Sequence, residues 1–354
     1  MMRSLSLLFL FVTLTNGFTH SLPRKSVPSL TKPGRLPPLP SSSVPSFLAK
    51  IRGGDDNPAN ALDSAKVCIL SKSTAIAALT TASLQSGPWG VVALWGIASA
   101  VVVPLTLYRQ AFSFSVGYGF SVFAMAVTLL SAFSPIVWNS SSYLLTVAVA
   151  FYGLRLGSFL ALRNIVNKTK ARELKSFDKT PRLKRIPFAI GVALFYAFMC
   201  APVLYGLRAP PAVGSVASKI AFGGVGIAFG GALLEAIADW HKLVVKQKYG
   251  NNNADIFVGP TGGVYQLCRH PNYLGEVMFW LGLVVGGAPS FGKSITAWVC
   301  SLLGLYGIVG IMRNATSRLD KKQQEKYKGQ DAYELWTNQV TAPLVPFVRG
   351  KSDS

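Results

Sequence analysis

Acid is what this chain has least of. Fourteen Asp and Glu stand against thirty-five Lys and Arg in 354 residues, and no acid occurs between Lys66 and Glu173. Histidine is scarcer still: beyond the N-terminal segment only His241 and His270 remain, which excludes a di-iron centre held by many imidazoles. Of four cysteines, Cys68, Cys200 and Cys300 sit inside apolar runs and no two have metal-ligand or redox spacing, so they read as packing residues. Cys268, next to Arg269, is the one candidate for a thiol of lowered pKa. Ten-residue stretches of alternating polarity are missing, which argues against a barrel.

What fills the chain instead is apolar sequence, 50% of all residues, gathered in blocks of about the twenty residues that cross a bilayer. The blocks near 88–107, 111–136, 142–161, 186–207, 216–238, 272–291 and 294–312 predict helical spans. A weaker one near 68–86 contains Lys72 and many Ser and Thr, and suits either a span or the interface. The expectation is an all-α polytopic membrane protein with seven to eight transmembrane helices, 67–140 forming an N-terminal group and 141–348 a second membrane domain.

Residues 1–66 differ in kind. A short apolar run, Ser4–Thr15, ends at Asn16-Gly17-Phe18, and the following stretch is rich in Ser, Pro, Lys and Arg with no acid before Asp55. This predicts a signal peptide over 1–17 and a transit-like segment over 18–60. The pair resembles the bipartite plastid presequences of algae with secondary plastids, which implies a plastid membrane; a plain secretory signal and the endoplasmic reticulum membrane are the alternative. Of the net charge of +21, this segment carries +5, from eight Lys or Arg and three Asp. The rest is concentrated in 162–185, 241–270 and the tail after Ile311, all on one side of the membrane if the spans are as given. Such loops set topology and meet lipid headgroups, and charge that flanks spans argues against nucleic acid.

Charge inside the spans is where function should show, because an ionised group near the bilayer centre costs roughly 3 kcal/mol. Arg155 stands alone within Phe151–Gly157, and either snorkels toward the basic loop or pairs inward. Glu235 and Asp239, four apart, share one helical face and need a cation between them: Arg155, Arg269, Arg313, or else a ligand's hydroxyl groups. After the turn-forming Asn251–Asn253 and Gly259–Gly263, the spacing predicts an extended approach over Val264–Cys268. Then comes Arg269-His270-Pro271-Asn272-Tyr273-Leu274-Gly275-Glu276. Pro271 disfavours helix at His270 and suits the first turn, so a span should begin there and its free N–H groups, with Arg269 and His270, should attract an anion. Asn272 and Tyr273 offer donors, and Glu276 lies one turn inside on the face of Asn272. Gly224, Gly226 and Gly230 lie inside a span without a preceding strand and read as helix packing, not a dinucleotide loop. The Asp320–Trp336 stretch reads as an amphipathic helix, either solvated or covering a cofactor.

Glu235-Ala-Ile-Ala-Asp239, Gly262-Gly-Val-Tyr265, the octapeptide Arg269–Glu276 and Trp280 resemble the C-terminal membrane domain of the steroid 5-alpha-reductase superfamily, nearest to its branch of uncharacterised members. Leu154–Gly157, Arg163, Asp320, Tyr327, Tyr333, Trp336 and Pro343–Pro346 extend the likeness over about 145–347. It implies reduction of a conjugated carbon–carbon double bond by NADPH in a lipid-soluble substrate, with no metal. Arg269, His270, Asn272, Tyr273 and Glu276 would contact the cofactor, Tyr265, Arg313, Asp320 and Tyr333 would line its polar end, and Glu235 and Asp239 would hold ribose hydroxyls or nearby cations. The superfamily's substrate-polarising glutamate in the N-terminal half has no counterpart here, so the catalytic proton donor is unassigned, with Tyr118 and Tyr152 as candidates. Isoprenylcysteine and phospholipid methyltransferases share an Arg-His-Pro-x-Tyr helix start and bind S-adenosylmethionine, but the adjacent glutamates they carry later are replaced here by Arg318-Leu-Asp-Lys-Lys322. A non-catalytic scaffold is the third reading.

Overall fold

The computed structural model describes residues 73–166, 174–249 and 256–346. The signal-like and transit-like segments and Cys68 lie outside them. Helices account for most of the described chain, and no strand occurs among the described residues. In a bilayer that is the economical solution for an apolar chain, since a helix satisfies its own N–H and C=O groups where no water can.

Helix α1 covers 73–85, and α2 (Gly90–Tyr108) and α3 (Val116–Ala132) follow, joined by a 3-10 turn at Gln110–Phe114. Next come α4 (Ser141–Val166) and α5 (Ile186–Arg208), with Pro187 in the first turn of α5. The chain then builds α6 (Val216–Tyr249), α7 (Pro271–Gly287), α8 (Ile295–Tyr327) and the short α9 (Asp331–Gln339). Ser294 caps α8 by accepting from the Ala297 N–H. Neighbours in the bundle are α6 with α7, α3 with α4, α2 with α5, and α8 against both α5 and α7.

Among the described residues five helices are long and apolar enough to cross a membrane: α2, α4, α5 with the 3-10 turn before it, α6 and α8. The expected spans at 111–136 and 272–291 are shorter than the sequence implies, for α3 and α7 have 17 residues each, about 26 Å of rise. The 3-10 turn shortens α3 at one end and the Ser134-Pro135 bond at the other, while Gly287 and a 3-10 turn at Ala288–Ser290 stop α7. Conversely, α6 and α8, at 34 and 33 residues, measure about 50 Å, well beyond the roughly 30 Å of hydrocarbon. Their polar ends therefore project past the bilayer on the face of the basic loops. The last span and its amphipathic continuation are one unbroken helix up to Tyr327.

Close approach of α6 and α7 depends on glycine. A Cβ on Gly275 would lie 2.6 Å from both the Glu235 nitrogen and the Gly231 oxygen. Gly224 likewise meets Gly286, but Gly226 and Gly230 face open space, so only part of the expected small-residue stripe packs. At the opposite end of the bundle, Arg208 donates to the carbonyls of Ser83, Leu84, Ser86 and Gly87 and so caps α1 from the end of α5. On the basic side a small aromatic core outside the bundle gathers Ala238, Tyr265, Tyr333, Trp336 and Val340, with Phe257 and Tyr327 against it. Large apolar side chains such as Phe151, Leu233 and Leu303 remain exposed on the bundle's flanks, as in a protein that contacts lipid.

Candidate functional site

Because α6 and α7 touch through Gly231 and Gly275, the polar residues of both helices are driven together and toward α4. Glu235, only 3% exposed, faces the guanidinium of Arg155: Nη2 stands 2.8 Å from Glu235 Oε1 and Nη1 3.5 Å from Asp239 Oδ2. Arg155 thus turns inward instead of snorkelling, and it is the cation that the Glu235–Asp239 face required. Its charge also lies 5.3 Å from the centre of the Tyr152 ring. Asn272, in the first turn of α7, donates to Asp239 at 3.2 Å. Arg163 and Lys242 stand within electrostatic reach of the same carboxylate.

Polar valences remain open at this junction. All three guanidinium nitrogens of Arg155 are buried without an aligned hydrogen-bond acceptor, and Glu235 Oε2 and Asn272 Oδ1 are buried without a donor. Each such group costs about 1–3 kcal/mol if left unmade. Three helices therefore bring ion-paired and hydrogen-bonded side chains together with polar atoms left over.

Deeper along α7 the network closes. The Tyr118 hydroxyl donates to Glu276 Oε1 at 2.9 Å and accepts from Trp280 Nε1 at 2.8 Å. The Tyr152 hydroxyl lies 3.4 Å from that of Tyr118. Stacking of Tyr152 on Phe279 at 4.0 Å and of Tyr118 on Tyr196 at 4.9 Å fixes both phenols. The acid absent from the N-terminal half is thus supplied to Tyr118 by α7.

A second group forms at the start of α7. As expected, the helix begins at Pro271, with His270 in a non-helical conformation before it. The anion that meets this end is the protein's own Asp320, on the projecting part of α8. Arg269 Nη2 donates to Asp320 Oδ2 at 2.7 Å and Arg269 Nε to Oδ1 at 3.4 Å, while His270 Nε2 lies 2.6 Å from Oδ1. Arg269 Nη1 reaches the carbonyls of Val340 and Thr341, and the backbone N–H groups of Arg269 and His270 donate to Ala342 and Pro343. Burial pushes the His270 imidazole below its ordinary value, and the Asp320 bond only partly opposes this. A neutral ring donating its Nε2–H fits that balance.

Of the other residues anticipated, Tyr273 stacks on His270 and lies near Arg163 and Arg318. Tyr265 donates to the Ala238 carbonyl at 3.1 Å, and Tyr333 belongs to the aromatic core on the basic side. Arg313 joins neither group and is exposed on α8. The approach over Val264–Cys268 is not extended: Gly263, at φ +61, turns Gly263–Gln266 into a 3-10 helix. Cys268 is not an activated thiol either, since burial pushes it up to about 11 despite Arg269. Among the described residues no cluster of His, Cys, Asp and Glu could hold a metal ion.

The family model described as a protein of unknown function (DUF1295) matches residues 109–340, which takes in both side-chain groups. No curated protein matches the chain, and no solved structure does. Through that match, over more than half its length, the chain belongs to the DUF1295 family of proteins of unknown function.

Proposed function

We propose that this protein is a membrane reductase that uses NADPH to saturate a carbon–carbon double bond in a lipid-soluble substrate such as a sterol, an isoprenoid or a fatty chain. The observation that carries the reading is that Glu235 Oε2 and Asn272 Oδ1 are buried without hydrogen-bond partners beside the Arg155 guanidinium, with Asn272 one turn from Glu276 and its Tyr118 partner on α7. Ribose hydroxyls and a carboxamide offer the donors and acceptor that these atoms want, so the residues fit a nicotinamide dinucleotide. When bound, that cofactor supplies the hydride.

The chain's own residues then have distinct work. Glu235, Asn272 and Arg155 would orient the reducing end, and the basic Arg163, Lys242 and Arg318 would draw a polyanion to the same mouth. Tyr118 would give the proton to the carbon next to the one reduced. With Glu276 ionised, the phenol's hydrogen is spent on the carboxylate; with Glu276 protonated, the same 2.9 Å contact runs the other way and the hydrogen is free for substrate. The Trp280 N–H at the phenol oxygen stabilises the phenolate left behind. Tightly stacked rings exclude water from this proton path. The apolar flanks admit a lipid-borne substrate, in a topology where α3 and α7 cross with the five longer helices. The presequence-like segment would direct the protein to a plastid membrane.

Titration of purified protein with NADPH and with S-adenosylmethionine tests the class. Saturable NADPH binding, weakened by about 1–3 kcal/mol in Asn272→Ala and in Glu235→Gln, is expected. Saturable binding of S-adenosylmethionine alone would replace the reductase by a methyltransferase, and binding of neither by a scaffold.

A further inference from the structure

The basic side of the bundle carries another folded feature, at the joint where α2 ends and α5 begins. Residues 162–185 hold nine Lys or Arg against Glu173 and Asp178. Asp178 is turned inward: its Oδ1 accepts the Gln110 N–H at 2.7 Å and lies 3.1 Å from Arg185 Nη1. Arg185, only 5% exposed, also donates through Nε to the Thr180 carbonyl at 2.7 Å and through Nη1 to the Thr106 carbonyl at 3.3 Å. One buried cation and one carboxylate thus tie 178–185 to the end of α2 and to the 3-10 turn Gln110–Phe114. The Phe177 ring adds a second tie, meeting Phe114 edge-on with centroids 6.1 Å apart.

Pinning the segment this way decides what it leaves outside. Lys175, Lys179, Arg182 and Lys184 are all exposed, and Asp178, the acid among them, is already bound to Arg185. Exposed as well are two large apolar side chains of the same segment, Phe177 at 52% and Leu183 at 76%. Tyr108 and Phe114 are exposed on the far side of the Gln110–Asp178 bond. The apolar span Arg182–Arg208 starts inside this cluster, which puts it where acyl chains give way to headgroups. In that layer aromatic and aliphatic side chains sink inward, while lysine and arginine stems reach outward. Counter-charge for these cations is then available from acidic headgroups.

We propose that this joint is a platform for acidic phospholipids: Phe177 and Leu183 enter the acyl boundary, and Lys175, Lys179, Arg182 and Lys184 hold the lipid phosphates. The platform differs from a plain topology signal because the Asp178–Arg185 pair folds it onto the bundle. Its partner is the membrane itself, and it stands whether or not the inner site takes NADPH.

Native mass spectrometry of the full chain, equilibrated in detergent with equal amounts of phosphatidylglycerol and phosphatidylcholine, reads which lipid is retained. The wild type should prefer phosphatidylglycerol. Lys175→Gln/Lys179→Gln/Arg182→Gln/Lys184→Gln should cut that preference by about fivefold or more, since a single cation near an anionic headgroup layer contributes about that factor. Removing four charges elsewhere on the basic side, with Lys248→Gln/Arg313→Gln/Lys321→Gln/Lys328→Gln, should change it far less. Asp178→Asn separates geometry from charge count, because it makes the chain more positive yet unpins the segment, so the preference should fall. A rise in Asp178→Asn would overturn the platform, as would equal retention of the two lipids by the wild type or equal losses in the two quadruple variants. Displacement of the retained lipid by millimolar inorganic phosphate would make the joint a free-anion site and overturn it too. The quadruple variants change only side chains outside the ion pair and decide the matter even if Asp178→Asn does not fold.

Discussion

Arg155 and Glu235 meet at 2.8 Å from two different helices, with 16% and 3% of their side chains exposed. Breaking such a buried pair leaves an uncompensated charge, which costs about 3–5 kcal/mol, whereas replacing both partners by apolar residues is often neutral. Arg155→Met and Glu235→Leu should each lower the melting temperature in detergent sharply, and the double substitution should recover much of the loss. Additive single effects would show that the pair is not coupled.

The Tyr118 hydroxyl is the middle of a three-membered chain, so Tyr118→Phe strands both Glu276 Oε1 and Trp280 Nε1. Stability should fall by about 1–3 kcal/mol. On the reductase reading the turnover rate should fall by about 10²–10⁴-fold while NADPH affinity stays within twofold. Steady-state kinetics with parallel NADPH titration checks the split; equal losses in affinity and turnover would remove Tyr118 from the proton path.

His270 is depressed by burial, and the sign of its pH dependence follows. The unfolded imidazole titrates near 6.5 and the folded one lower, so the neutral ring costs nothing above 6.5. As pH falls through 6.5 toward the folded value, the unfolded chain takes up the proton first and stability declines. Melting temperatures between pH 8 and 5 should be flat above 6.5 and drop below it in the wild type, with a shallower drop in His270→Gln.

Gly275→Ala would place a methyl group 2.6 Å from backbone atoms of Glu235 and Gly231. Overpacking of this sort costs about 1–3 kcal/mol. Because the same contact brings the Glu235–Asp239 face of α6 to Asn272, the variant should lose NADPH binding more than it loses stability. Gly226→Ala, which meets nothing within 4 Å, is the control and should leave both unchanged.

Much of this arrangement is legible in the sequence where the signal is local or where charge is rare. Pro271 fixes the start of α7 because the ring bars helix at the residue before it. The Arg155 pairing is foreshadowed by the want of any other embedded charge nearby. The Tyr118–Glu276 bond spans 158 residues and the Arg269–Asp320 bond 51, distances at which no periodicity records a partner. Arg269 illustrates the difference: a cation at a helix start suits a bound phosphate, yet Asp320 and two tail carbonyls already use its donors. Val264–Cys268 misled for a smaller reason, since a single positive φ at Gly263 converts an apparent straight run into a turn.

The same ion pair also constrains how the protein is made. Arg155 of helix α4 leaves the ribosome 80 residues before Glu235, and no acid of the apolar spans precedes it. Arg155 therefore enters the bilayer unneutralised, at a cost of about 2.5–3.5 kcal/mol in the insertion step, until α6 arrives. Biogenesis must tolerate a partly assembled intermediate whose most hydrophilic side chain waits for its counter-ion, which makes the interval between α4 and α6 the point where insertion factors or truncation would be felt most.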